Sequence, residues 1–510
     1  MTNSDPSLAS SGVVSSPGRQ GVLASVLRQR QLWVAAALVL GTAARVHGIG
    51  YSLNTDEIFS VRASSSSLSY LVEAVIADRI HPPLYLLLLH FWMQGVGTSE
   101  VAIRLLSVAA SVGFLFFVSG VAFRIAQGWA ALFVVLFCAL SGALVYYTQE
   151  ARPYPFVALF GAMSIWSLLN TQKVASGWRH HVLYGVACAG LMYSQYMGAL
   201  FLLAQFGVVL LAPFQYKRRL LLCGFLGALS VLPWLAFVAA KTSLTPTAIQ
   251  GNLAWIDRPT WLNAWQLVVP VFGWMPVARA TLLLTALLLL TLAPLLVQHR
   301  RVEWSTGRLI AAGALFPPAV AFLVSAYGPV SVWALRQLIP SVLMIVCLLG
   351  LGLTLHRPVL RAGLGGTLLA WAVVFGLPAW ARHNVDWPTK DIARVLTEMC
   401  PGCTVIVPDL PAAVNVAFYS HQPVRPFERQ WTVAQLPNLP YSLPGYRDQD
   451  QELAQDESGQ LLVLCGTAVC KALHALRSRY HPVAHREIAW GIEPWQRRVV
   501  WLLGRRALHE

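Results

Sequence analysis

Between residues 32 and 381 the chain alternates long apolar runs with short polar or basic stretches. The runs fall near 32–48, 103–124, 129–148, 152–170, 180–196, 198–214, 219–240, 279–298, 308–327, 336–355 and 361–381. A helix needs about 20 apolar residues to cross the hydrocarbon core, so this pattern predicts about 11 transmembrane helices. From Asp386 the pattern changes to that of a soluble α/β unit: a helical stretch over Thr389–Met399, a strand-like Thr404–Val407 and a second strand-like run at 461–464. A partly parallel sheet fits this order of elements. The predicted fold is therefore a polytopic α-helical membrane protein, with a tail at 1–31, a membrane part at 32–381 and a C-terminal external α/β domain at 382–510.

Composition agrees with this reading and charge orients it. Hydrophobic residues make up 56% of the chain and charged residues only 12%, which requires a membrane as solvent. Nine acids (Asp5, Asp56, Glu57, Glu73, Asp78, Glu100, Glu150, Asp257 and Glu303) precede residue 382 and thirteen follow it, marking the domain boundary. The formal net charge of +15 does not point to nucleic acid, because the basic residues sit between apolar runs, where they set topology and meet anionic lipid. With a cytoplasmic N-terminus, the clusters Arg28/Arg30, Arg124, Lys173/Arg179, Lys217/Arg218/Arg219, Arg300/Arg301 and His356/Arg357 all fall inside. Counting the short apolar run up to Val96 as another crossing would invert every later loop, so residues 65–97 are expected to form juxtamembrane helices at the outer interface. No cleavable signal is evident before Leu32. The expected location is the bacterial inner membrane, multi-pass, with loops 49–102, 149–152, 241–278 and 328–335 and the tail on the periplasmic side.

Carboxylates beside a bilayer are costly and often functional, which singles out the adjacent Asp56 and Glu57 just beyond the first run. A helix N-cap by Thr55 or Asp56 is the structural alternative. Glu150, in Tyr146-Tyr147-Thr148-Gln149-Glu150-Ala151-Arg152-Pro153-Tyr154, reaches the same face; a Glu150/Arg152 pair closing a turn is its structural alternative. His81, ahead of two prolines and Tyr85, and Arg336, opening a crossing, complete the set. Arg336 is also readable as a snorkelling anchor. Carboxylates to activate a hydroxyl, cations to hold a phosphate and the aromatic faces of Tyr147 and Tyr154 suit a polyprenyl-phosphate sugar. A lipid phosphate is a good leaving group, so the chemistry needs a base, Asp56, and a phosphate clamp, Arg336.

The series Thr55-Asp56-Glu57, His81-Pro82-Pro83-Leu84-Tyr85, Arg104-Leu105-Leu106-Ser107, Gln149 to Tyr154 and Arg336-Gln337-Leu338-Ile339-Pro340 resembles the GT-C membrane glycosyltransferases, particularly the protein O-mannosyltransferase and lipid A aminoarabinose transferase-like group. The resemblance covers roughly the first 340 residues. It implies an inverting transfer from a polyprenyl-phosphate-linked sugar to a hydroxyl of a lipid, protein or polysaccharide. It also implies Asp56 as base, Glu57 as its neighbour in the acceptor pocket, Glu150 as a second acid, and His81, Tyr85, Tyr147, Arg152, Tyr154 and Arg336 around the substrates. The predicted partners are membrane lipid, the lipid-linked donor and the acceptor. A lipid-linked glycan transporter or flippase would place polar groups in mid-helix and repeat its halves; neither is visible. A polysaccharide polymerase or ligase shares the donor chemistry without requiring the acidic pair.

Three questions stay open at the level of sequence. The tail pairs Cys400/Cys403 and Cys465/Cys470 suit local disulfides in an oxidising compartment, with a four-cysteine zinc site as the rival. The loop at 241–278, containing Gln250, Asn252, Trp255, Asp257, Arg258, Trp261 and Trp265, suits either a lid over the donor or a tryptophan belt. Asp56, Glu57 and Glu150 could share a divalent metal but show no dedicated ligand spacing, so metal-independent transfer is the expectation.

Overall fold

The computed structural model describes residues 17–172, 177–214, 216–245, 249, 253, 256–261, 264, 269–272, 278–298, 302–427, 460–466, 471–476, 480–489 and 496–505. Every predicted apolar run falls on a helix or a broken helix. These are α1 (Pro17–Val46), α5 (Glu100–Ile125), the pair α6 (Gly128–Leu140) and α7 (Gly142–Gln149), α8 (Tyr154–Thr171), α9 (Trp178–Ser194), α10 (Gly198–Leu211) and the pair α11 (Lys217–Leu229) and α12 (Leu232–Lys241), followed by Ala278–Gln298, Trp304–Tyr327, Ile339–Leu355 and Pro358–Trp371. Among the described residues five helices are long and apolar enough to cross a bilayer unaided, and the bent α6–α7 pair makes a sixth if it counts as one span.

The bend between α6 and α7 is 52°, and its neighbours explain how it is tolerated. Breaking a helix orphans backbone carbonyls. Arg45, fully buried at the end of α1, donates to Cys138 O at 3.1 Å, Ala139 O at 2.8 Å and Thr148 Oγ1 at 2.8 Å. At the bend itself a Cβ on Gly142 would lie 2.1 Å from the carbonyl oxygen of Gly376, so only glycine allows this backbone approach. The result is that α7 is aimed at the polar end of the bundle, where it delivers Tyr146, Tyr147 and Glu150.

The first loop folds into three short helices, α2 (Thr55–Ser65), α3 (Leu68–Asp78) and α4 (Leu84–Val96). None is long enough to span, in keeping with the juxtamembrane reading of 65–97. The α2 N-terminus is a capping box: Asn54 Oδ1 accepts from Glu57 N at 2.9 Å, and Glu57 Oε2 accepts from Asn54 N at 3.1 Å. The cap is therefore Asn54, one residue before Thr55 and two before Asp56, the caps of the alternative reading.

Contacts draw several of the predicted basic positions and their neighbours, among the described residues, to one end of the bundle. Arg30 lies over the Phe123 ring, Arg124 donates to Leu169 O, Trp166 meets His180, His181 meets Tyr216 and Ser305 donates to Gln172. Asp56, Glu150 and Arg336 occupy the other end.

In the tail a five-stranded sheet runs in the order β2-β1-β3-β5-β4, with β1 (Thr404–Val407), β2 (Val424–Pro426), β3 (Gln460–Gly466), β4 (Tyr480–Ala489) and β5 (Arg497–Arg505). The β1 pairings with β2 and β3 are parallel, and those of β5 with β3 and β4 are antiparallel. Cys400 and Cys403 form a disulfide. Parallel pairing of Thr404 with Leu461 and Ile406 with Val463 sets Cys403 and Cys465 at opposite ends of their strands, which leaves no place for the four-cysteine zinc alternative. Cys470 lies outside the described residues. The tail is not a tethered module: Ile58, Phe59, Leu71 and Leu89 of the first loop share one continuous buried core with Ile392, Leu396, Val405, Ala413 and Leu462.

Candidate active site

Two neighbouring carboxylates on the first turn of α2 meet opposite environments. Glu57 is fully buried. Arg104 grips it as a two-pronged fork, Nε to Oε1 at 2.7 Å and Nη2 to Oε2 at 2.6 Å. Arg382 Nη2 donates to Oε2 at 2.6 Å and Ala151 N to Oε1 at 2.8 Å. With the capping bond from Asn54, both oxygens are engaged on every side. Burial alone would raise the Glu57 carboxyl, but Arg104 and then Arg382 outweigh it and hold it down at about 2. Arg104 further donates to Ile49 O, Tyr51 O and Ser52 O, binding the linker that leads into α2.

Asp56 keeps 29% of its side-chain surface open. Its Oδ2 accepts from Arg336 Nη1 at 2.7 Å, across 280 residues of chain. Although the pair retains an opening, enough protein surrounds Asp56 that burial would raise its carboxyl; Arg336, then Arg152 and His81, reverse this and lower it to about 2. Arg336 sits on the short 3-10 turn Leu335–Gln337, its guanidinium 5.9 Å from the Tyr154 ring centre. Tyr154 in turn meets Tyr147 edge-on at 5.8 Å, and Tyr147 lies 5.4 Å from Trp380. These rings wall one side of the Asp56–Arg336 pair.

Glu150 caps the end of α7 and is 2% exposed. Asn54 Nδ2 donates to its Oε1 at 2.6 Å, so the residue that caps α2 also holds the second acid. Oε2 has no hydrogen-bond partner among the described residues. Burial, followed by the charges of Glu57 and Asp56, lifts Glu150 to about 7 against the opposing pull of Arg382. Arg152, whose pairing with Glu150 was the structural alternative, bonds toward α2 and His81. Arg152 Nη1 donates to Asp56 O at 3.2 Å and Ser60 Oγ at 3.3 Å, and Nη2 to His81 Nε2 at 3.0 Å. Because a guanidinium only donates, His81 Nε2 accepts, so its Nδ1 carries the proton toward Asp78 Oδ2 at 2.7 Å.

The structure thus gathers Asp56, Glu57, Glu150, His81, Arg152, Tyr147, Tyr154 and Arg336 around one turn of α2. Tyr85 is the exception: it is 1% exposed and packs edge-on against Phe156 inside the core, so it supports α2 rather than lining an opening. Of the predicted lid, Gln250, Asn252, Trp255 and Trp265 lie outside the described residues; Trp261 is exposed and its ring centre is 4.5 Å from that of Phe322. Among the described residues no group of three or more His, Cys, Asp or Glu is arranged to hold a metal, and Glu57, saturated by arginines, has no lone pair to offer one.

Sequence reasoning missed Asn54, Asp78 and Arg382, and quoted Arg104 without giving it a role. The tail helix Leu410–Ser420 was missed too: Asn415 Oδ1 accepts from Thr55 Oγ1 at 2.9 Å, and Tyr419 accepts from Leu53 N at 2.8 Å. A charge set early in an apolar run, as at Arg104, was the available signal; for Asn415 there was none.

Residues 80–237 match the model of the dolichyl-phosphate-mannose-protein mannosyltransferase family. The fold is similar to that of ArnT from Cupriavidus metallidurans. The form bound to undecaprenyl phosphate aligns with a TM-score of 0.61 at 13% identity, over 92% of this chain and 97% of that one. The apo form aligns at 0.60 and 14%, over 94% and 98%. No curated protein sequence matches. The chain therefore has a GT-C type membrane fold and resembles the O-mannosyltransferase and ArnT group.

Proposed function

We propose that this chain is an inverting glycosyltransferase that moves a sugar from a polyprenyl-phosphate-linked donor to a hydroxyl acceptor at the external face of the inner membrane. The observation that carries the reading is the half-open Asp56–Arg336 pair, walled by Tyr147 and Tyr154, at the end of the bundle away from the basic clusters. ArnT, of similar fold, has been seen with undecaprenyl phosphate bound, which supports a lipid phosphate as the leaving group.

In this mechanism the acceptor oxygen attacks the anomeric carbon from the face opposite the phosphate. The bond from that carbon to the phosphate oxygen breaks, its electron pair leaving with the lipid phosphate, and the acceptor proton passes to Asp56. One displacement inverts the anomeric centre. Arg336 neutralises the charge that grows on the leaving phosphate, where a guanidinium matches its oxygens. Glu57, although beside the base, is a positioning residue: with both oxygens held by Arg104, Arg382, Asn54 and Ala151 it fixes the first turn of α2 and so aims Asp56. Glu150 stands beside the acceptor site, and Arg152 with the His81–Asp78 pair holds the backbone of Asp56.

The test is glycan transfer in membranes of a deletion strain complemented with wild type or Asp56→Asn, read by mass spectrometry of cell-envelope glycans and lipid-phosphate sugars. Loss of the glycan with accumulation of the unspent donor supports the reading. Unchanged transfer by Asp56→Asn overturns it.

A further inference from the structure

An arginine fork accepts a carboxylate or a phosphate through the same N–H groups. One of those groups, Arg336 Nη1, donates to Asp56 Oδ2 at 2.7 Å. The proposed clamp and the proposed base therefore hold each other. We infer, on the basis of the function just proposed, that Asp56 occupies the position on Arg336 that the lipid phosphate takes, so that donor binding itself releases the base.

Three features of the geometry carry this. The pair is the open one of the two on α2, with 19% of the Arg336 side chain and 29% of Asp56 accessible, so an anion can approach it. Arg336 rides on the 3-10 turn Leu335–Gln337 rather than in the body of a helix, and a short turn yields more readily than a packed span. Asp56, in contrast to Glu57, has its backbone carbonyl held by Arg152, so its main chain stays in place when the carboxylate changes partner. The donor's phosphodiester carries one charge, like the carboxylate, but presents two unbridged oxygens that fit the guanidinium fork, where Asp56 is bonded through Nη1, and so takes its place. Asp56, no longer ion-paired and now beside an anion, becomes the stronger base that proton abstraction requires. Before the donor arrives the base is held inactive, so the order of events is donor first and deprotonation of the acceptor second.

The experiment measures binding of sugar-free undecaprenyl phosphate to the purified full chain in detergent, with Asp56→Asn, Arg336→Gln and the double variant. Asp56→Asn is expected to bind the lipid phosphate about tenfold more tightly than wild type, and Arg336→Gln at least tenfold more weakly. The double variant should match Arg336→Gln alone, because the competition needs the arginine. Equal or weaker binding by Asp56→Asn overturns the inference. Tightening that persists in the Arg336→Gln background also overturns it, since simple repulsion between Asp56 and phosphate would then suffice. Asp56→Ser, measured alongside with its melting temperature, guards against a fold defect in the first variant. Active transfer by Asp56→Asn would instead strike the proposed function, leaving the binding result to stand separately.

Discussion

Glu57 and Asp56 are neighbours on one helical turn, bear the same charge and are both held below the usual carboxylate range, yet they sit in opposite environments. The Glu57 region is sealed: two arginines and two backbone N–H groups consume both oxygens, and no water or substrate reaches it. The Asp56 region is open, with one arginine on one oxygen. The contrast teaches that acidity and burial do not by themselves identify a catalytic carboxylate. Spare bonding capacity does.

Substitutions on the two sides should therefore fail differently. Asp56→Asn should lower transfer by about 10³-fold, within the range that removal of a general base gives, while the melting temperature stays near that of wild type; a large drop in melting temperature would merge the two regions. Glu57→Gln leaves Arg104 and Arg382 buried without their counter-charge, a break that costs on the order of 3–5 kcal/mol. Thermal unfolding in detergent should show it, with activity falling in step with folded fraction and recovering in whatever fraction remains folded. A normal melting temperature for Glu57→Gln would refute the sealed-cage reading.

Smaller effects sharpen the same comparison. Cys400→Ser with Cys403→Ser opens only a short loop, so the tail should lose about 2 kcal/mol, and transfer should survive because the disulfide is remote from α2. The smallest effect concerns pH. Glu150 titrates near 4.5 when unfolded and near 7 in place, so the folded chain binds the extra proton between those values. Stability should accordingly fall as pH rises from about 4.5 to about 7 and level off above. Glu150→Gln should flatten this slope, as read from melting temperatures across pH 5 to 8.

Much of the fold was legible from hydrophobic run length, which marks helices for a simple reason: every buried backbone group in lipid must bond within its own segment. Charge placement is also what led residues 65–97 to be read as juxtamembrane rather than spanning. The site was partly legible, since Asp56, Glu150 and Arg336 are charges that an apolar surrounding would not carry without a purpose. The division of labour between Asp56 and Glu57 was not legible, because it depends on Arg104 and Arg382 meeting at one point from distant helices. Nor was the inward turn of Tyr85, as a tyrosine beside two prolines reads equally as a lining or a supporting residue. The union of the tail with the first loop was hidden for the same reason: its core is built from residues hundreds of positions apart.

The bond from Arg382 to Glu57 spans 325 residues, and that distance bears on biosynthesis. The ribosome delivers α2 early, but half of the counter-charge around Glu57 is translated only after the last membrane helix. Until then Glu57 has Arg104 as its counter-charge, beside the backbone bonds from Asn54 and Ala151, and α2 lacks the cover of the helix Leu410–Ser420. A chain truncated before residue 382 would carry the proposed base on a half-neutralised turn, and is expected to transfer no sugar.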